Sequence, residues 1–373
     1  MTQLADNFTI LALETSCDET AAAIVRGGRD ILANVVASQM DMHERYGGVV
    51  PEVASRQHIL SLSPVIQAAL QTLPGGWNDV DAVAATHGPG LSGALLTGLN
   101  AAKAIAWQRG LPFVGVNHLE AHIYANWLNE HPSSDGSHES PTFPLVALVV
   151  SGGHTLLALL RNHGEYELLG QTRDDAVGEA FDKVARILGL GYPGGPAIQQ
   201  AAQGGAGGSS LPRAWLRDSF DFSFSGLKTA VLHKAQERQE RSATLAPSRG
   251  ERIQRGKAAK ATPPAQTPAL DDAFVRQTAF AFQESVVDVL CTKTVDAAQR
   301  YGASAILLAG GVAANTRLRE ELVRRARVPV RFPSLALCTD NAAMVAAAAY
   351  YRFETGVQSS WDLDVTPNLR LGM

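Results

Sequence analysis

Long apolar runs, paired cysteines and an excess of positive charge are all missing from this 373-residue chain. Each absence removes a class of protein. The longest apolar stretches, such as Leu145–Val150, are strand-sized, far short of the roughly 20 residues that cross a bilayer. Residues 1–9 have neither a basic n-region nor a long apolar h-region, and they lack the arginine bias of a transit peptide. No targeting segment is expected there. Cys17, Cys291 and Cys338 are odd in number and have no C-x-x-C spacing, which argues against a disulfide framework and for a reducing compartment. A cytoplasmic protein, with no membrane partner, is expected. A formal net charge of −4 gives no global attraction to nucleic acid. Residues 234–260, however, hold eight Lys or Arg against three Glu, so a polyanionic partner would be met by local patches.

What is there is an ordinary globular composition, 46% hydrophobic and 18% charged, with enough apolar material for a core in each of two lobes. Residues 8–14, 20–25 and 31–37 read as three strands joined by tight turns. A helix is expected from Pro51, suited to a first helical turn, to residue 73; then a strand at 81–86, a helix at 91–108 and a strand at 112–116 leading into a helix at His118. The opening recurs in the second half, with strands at 145–150, 155–160 and 166–170 and a later strand at 304–308. Two strand meanders, each followed by βα units, predict a duplicated α/β protein with a cleft between the copies. The plan is similar to the actin-like, Hsp70-like (ASKHA) two-lobed fold, with residues 1–140 as one lobe and 141–373 as the other. Residues 236–268 have almost no large apolar side chains and read as a disordered or loosely helical insertion. That insertion is either a tolerated surface loop or a basic arm that touches nucleic-acid phosphates.

The sharpest local feature is Asn117-His118-Leu119-Glu120-Ala121-His122. On a helix, His118 and His122 share one face, a geometry for two imidazoles on one metal. Two solvent- or backbone-bonded histidines at a helix start would look the same. Glu120 falls on the far side of the axis, unlike the Glu that follows the first His in a zincin. A third ligand should be acidic and distant: Asp340, in Cys338-Thr339-Asp340-Asn341, is either that carboxylate or the N-cap of the apolar helix expected at 342–350. Two histidines and a carboxylate leave positions open for substrate and suit Fe(2+) or Zn(2+). In Ser151-Gly152-Gly153-His154-Thr155 two glycines would let backbone N–H groups approach phosphate oxygens, although such a turn is also an ordinary hairpin. Ala309-Gly310-Gly311-Val312-Ala313-Ala314-Asn315 places a second glycine pair at a strand end, where ligands collect in α/β proteins. Asp182 and Gly194-Gly195 suggest a ribose or base pocket, with an Asp182–Arg186 ion pair on a solvated helix as the plainer alternative for Asp182.

Taken together, these motifs resemble one family. The run Glu14-Thr15-Ser16-Cys17-Asp18-Glu19-Thr20, the segments Gly47-Gly48-Val49-Val50-Pro51-Glu52, His118 to His122 and Val150 to Thr155, then Asp221-Phe222-Ser223-Phe224-Ser225-Gly226-Leu227-Lys228-Thr229, Ala309 to Val312 and Cys338 to Asn341 follow the order of the tRNA N6-adenosine threonylcarbamoyltransferases, formerly called O-sialoglycoprotein endopeptidases. The resemblance implies transfer of the threonylcarbamoyl group of threonylcarbamoyl-AMP to the N6 amine of the adenosine just 3′ of the anticodon of tRNA, with release of AMP. It implies one divalent metal, Fe(2+) before Zn(2+), on His118, His122 and Asp340. It assigns the adenylate to Val149, Val150, Ser151, Gly152, Gly153, Asp182, Gly195 and Asn315. Asp18 and Glu19 are then candidate catalytic residues facing the cleft, with Asp18 orienting the amine or a water. The implied partners are an inactive paralogue (TsaB-like) and a small P-loop ATPase (TsaE-like). Departures from the family pattern are Asn117 where some members carry His, Gln199 where some carry an acid, and the long basic insertion. A kinase or ATPase of the same superfamily, a metallopeptidase and a non-catalytic scaffold are the competing readings.

Overall fold

Two five-stranded sheets of identical strand order organise the computed structural model, which describes residues 4–129, 140–205, 210–245 and 270–372. The first contains β1 (Thr9–Glu14), β2 (Glu19–Arg26), β3 (Asp30–Ser38), β4 (Ala82–Gly88) and β5 (Phe113–Asn117), ordered β3-β2-β1-β4-β5. The second contains β6 (Leu145–Val150), β7 (Thr155–Asn162), β8 (Glu165–Gln171), β9 (Ala305–Ala309) and β10 (Val330–Arg331), ordered β8-β7-β6-β9-β10. In each, an antiparallel meander is joined through its first strand to a parallel strand, Ile10 beside Ala82 and Leu145 beside Ala305. The expected duplicated α/β plan is therefore present.

The helices are α1 (Met40–Glu44), α2 (Pro51–Leu70), α3 (Ser92–Arg109), α4 (His118–Tyr124), α5 (Val177–Leu188), α6 (Gly194–Ala201), α7 (Ser225–Leu245), α8 (Asp272–Arg300), α9 (Thr316–Arg325) and α10 (Ala342–Glu354). Strand side chains alternate between faces, and here both faces are covered, so the central strands are apolar throughout. Leu11, Leu13 and Val83 pack outward with Leu62, Ile66 and Leu99 of α2 and α3. Val146, Leu148 and Ile306 pack outward with Phe181 of α5 and Phe282 and Val286 of α8. The two inner faces, Ile10 and Ala84 on one side and Ala147 and Leu307 on the other, enclose α4 and α10 in a middle layer.

Composition fits α10 for that layer. Ala342, Ala343 and Ala346 through Ala349 are all 0% exposed; alanine favours helix and has almost no volume to fit between two sheets. Beyond α10 the chain returns to the first sheet, with the N–H of Thr366 donating to the His87 carbonyl and the Asn117 amide donating to the Arg370 carbonyl. Of the basic insertion, residues 236–245 continue α7 as ordered helix, and residues 246–268 lie outside the described residues. Among the described residues no helix is long and apolar enough to cross a membrane.

Candidate metal and nucleotide site

Asn117 ends β5 and caps α4, its side-chain oxygen accepting the N–H groups of Leu119 and Glu120. The cap starts the helix at His118, so the rings of His118 and His122 lie one turn apart with centroids 4.6 Å from each other. Asp340 reaches both: its Oδ1 is 3.1 Å from His122 Nε2 and 3.5 Å from His118 Nε2. The capping role that Asp340 might have taken belongs to Asn341, whose Oδ1 accepts the N–H of Met344 at 3.0 Å. That leaves the Asp340 carboxylate free to face the histidines.

Glu14, at the end of β1, completes the cluster and was not singled out from sequence. Its carboxylate is fully buried and lies 3.0 Å from His118 Nδ1, while it accepts the Thr86 hydroxyl and the Ser16 N–H. A carboxylate behind an imidazole fixes the ring and leaves the other nitrogen for a metal. The only signal in the chain was an acid directly preceding the Thr15-Ser16 turn. Burial opposes charge on His118, but Asp340 and Glu14 outweigh it and lift the ring to about 9. Burial likewise opposes charge on Asp340, and His118 and His122 hold it well below the usual carboxylate range. The donor set fits a divalent cation: one ligand atom from each of His118, His122 and Asp340 lies within 4.8 Å of the others. Such mutual stabilisation is what an ion would replace.

The Ser151–Gly153 turn lies beside this cluster, close enough for His118 and His122 to depress the protonation of His154, after burial. Val149 and Val150 are core residues with no exposure that steer the chain into the turn. At Gly152 and Gly153 an added Cβ would meet nothing within 4 Å, so both face open space. Behind the turn, α5 closes in, with the Gly178 N–H donating to the Ser151 carbonyl at 3.1 Å. A Cβ on Gly178 would sit 2.6 Å from that carbonyl, a close approach the motif reading overlooked.

Asp182 does not rest on a solvated Arg186 pair; its Oδ1 accepts the N–H of Gly194 at the start of α6, and burial raises its pKa. Arg186 instead donates to the Gly47 carbonyl at 2.7 Å, joining the lobes. Gly195 opens on free space beside it. Asn315 caps α9 through Oδ1, accepting from Leu318, and donates from Nδ2 to Gln283. Glu19 opens β2 and Asp18 directly precedes it. Burial and then Asp182, Asp18, Cys17 and Glu19 together push the Tyr192 phenol up to about 12. Glu19 also bonds Ser38.

The repeated sheet order defines an actin-like two-lobed α/β protein, and a solved structure of full-length HypF in its phosphate- and nucleotide-bound form shares that fold. It superposes with a TM-score of 0.57 at 12% identity, over 95% of this chain and 47% of that one. The chain belongs to the tRNA N6-adenosine threonylcarbamoyltransferase family, whose model matches residues 30–347. It is 55% identical to the tRNA N6-adenosine threonylcarbamoyltransferase of Thermomicrobium roseum, over 97% of this chain and 96% of the relative. The Bacillus licheniformis protein of the same name is 47% identical over 97% of each.

Proposed function

We propose that this protein transfers the threonylcarbamoyl group of threonylcarbamoyl-AMP to the N6 amine of the tRNA adenosine 3′-adjacent to the anticodon, and that it does so in the cytoplasm. The bond between the carbamoyl carbon and the phosphate oxygen breaks, a carbon–N6 bond forms, the amine loses a proton and AMP departs. Membership of the family supports the reaction class. The observation that carries the assignment of residues is the meeting of His118, His122 and Asp340 within 4.8 Å, beside a turn whose glycines face open space.

His118, His122 and Asp340 would hold the ion. A divalent cation there, Fe(2+) by resemblance or Zn(2+), supplies a Lewis acid with positions open to the substrate. Glu14 keeps His118 oriented for that role. The Gly152 and Gly153 amides, in a turn that Ser151 closes by donating its own N–H to the His154 carbonyl, bind the adenylate together with Asp182, Gly195 and Asn315, positioning a donor that already carries a good leaving group. Asp18 orients the incoming amine or a water. Glu120 faces Arg352 and Tyr166 rather than the histidines, which speaks against the peptidase reading. An inactive TsaB-like paralogue and a small TsaE-like ATPase complete the proposed assembly. Ile59 and Leu60 on α2, 66% and 69% exposed beside a groove of about 470 Å³ between α2 and α3, offer the paralogue an apolar surface.

Reconstitution with threonylcarbamoyl-AMP and unmodified tRNA, followed by nucleoside analysis, tests the reading. Wild type should yield threonylcarbamoyladenosine, and His118→Ala should fall to background. Equal product from the two would overturn the residue assignment, and no product from a metal-loaded complex with its partners would overturn the reaction.

A further inference from the structure

Glu120 sits between the two histidines in sequence, on the opposite side of α4, and is only 2% exposed. A carboxylate buried this deeply is costly unless its oxygens are met by donors. Oε2 accepts from Arg352 Nε at 2.8 Å and Nη2 at 2.6 Å, and Oε1 accepts the Tyr166 hydroxyl at 2.8 Å. The three residues come from α4, from the last turn of α10 and from β8 in the second sheet. A pocket of about 190 Å³ opens on them, lined also by Tyr124, Tyr351 and Thr355.

This arrangement bears on the ligand cluster through the helices that carry it. The histidines lie on α4, and Asp340 lies two residues before α10 begins. Arg352 is roughly 15 Å along that helix from its first residue, Ala342, at 1.5 Å per residue. An ion pair that fastens α4 to the far end of α10 therefore fixes the separation and rotation of the two halves of the donor set. Tyr166 ties the same point to the second sheet. We infer that Glu120 is a positioning residue for the metal centre, holding α4 through Arg352 and Tyr166 so that His118 and His122 meet Asp340. The inference rests on the reading of that cluster as a metal site.

Co(2+) titration of the full chain, followed by its visible absorption and by chelator competition, distinguishes this role from a merely stabilising one. The variants are Glu120→Gln, the milder Tyr166→Phe, and Leu290→Ala in the outer core of the second sheet as a control for lost stability. Glu120→Gln should weaken Co(2+) binding about 10–100-fold, the range for support behind a ligand, and alter the absorption bands. Tyr166→Phe should do so to a smaller degree and carries the test if Glu120→Gln fails to fold. Leu290→Ala should melt lower with its Co(2+) affinity unchanged. Wild-type affinity in both clamp variants, or an equal loss in Leu290→Ala, overturns the inference. A wild-type chain that forms product but takes up no Co(2+) overturns the metal reading itself, and this inference with it.

Discussion

Capping decides which acid reaches the histidines. Asn341 occupies the N-cap of α10, and its neighbour Asp340, a capable cap itself, is thereby released to the cluster. Asn341→Ala should lower stability by about 0.5–2 kcal/mol. It should also reduce metal content, because Asp340 can then turn to the vacated N–H groups; metal analysis after thermal denaturation checks both. At the start of β2, burial first, then Asp18 and Asp340, lift Glu19 to about 9. The folded chain therefore keeps a proton on Glu19 that the unfolded chain releases near pH 4.3. Stability linked to that proton is complete below the unfolded value and is lost as pH rises toward 9. Melting temperatures between pH 5 and 9 should fall more steeply for wild type than for Glu19→Gln, which has nothing to ionise. Parallel curves would show that Glu19 titrates normally.

At the scale of elements, local pattern and tertiary placement separate cleanly. The meanders were legible because their strands are short apolar runs bounded by Gly27-Gly28 and Ser151-Gly152-Gly153, and the structure puts β6 at Leu145–Val150 as expected. The start of α4 was legible from the strand at 112–116 that leads directly into it, and the helix does begin at His118. That α10 lies between the sheets was not, since a run of alanines looks the same against one sheet or two. Glu14 escaped notice because its role depends on β1 and α4 meeting across 104 residues. Gly178 escaped because nothing local demands glycine in the first turn of a helix; the demand comes from the Ser151 carbonyl. Gly178→Ala should push α5 from the turn at a cost of about 1–3 kcal/mol. Affinity for AMP should drop roughly tenfold or more, with Co(2+) uptake unchanged; calorimetry with AMP measures the first and absorption the second. Undiminished AMP binding would detach the turn from the nucleotide site.

For the whole molecule the problem is one of charge and size. A tRNA is much larger than the cleft, and a chain of net charge −4 has no general attraction for it, so binding must draw on local cation clusters. Residues 246–268 contribute five Lys or Arg against one Glu, and they follow directly on α7, a helix anchored to the second lobe through Val231 and Leu227. Neutralised phosphates release counterions, and each adds about 0.7–0.9 to the slope of log K against log salt. If these cations contact the backbone, deleting 246–268 should weaken tRNA binding at low salt and flatten that slope by as much as about 4. Turnover at saturating tRNA should hold, because the His118, His122 and Asp340 cluster and the Ser151–Gly153 turn share no residue with the deleted segment. Binding isotherms at several salt concentrations measure the slope. A deletion that leaves it unchanged would make the segment a tolerated surface loop, and the anchoring charge would then have to come from the ordered basic residues of α7 or from a partner protein.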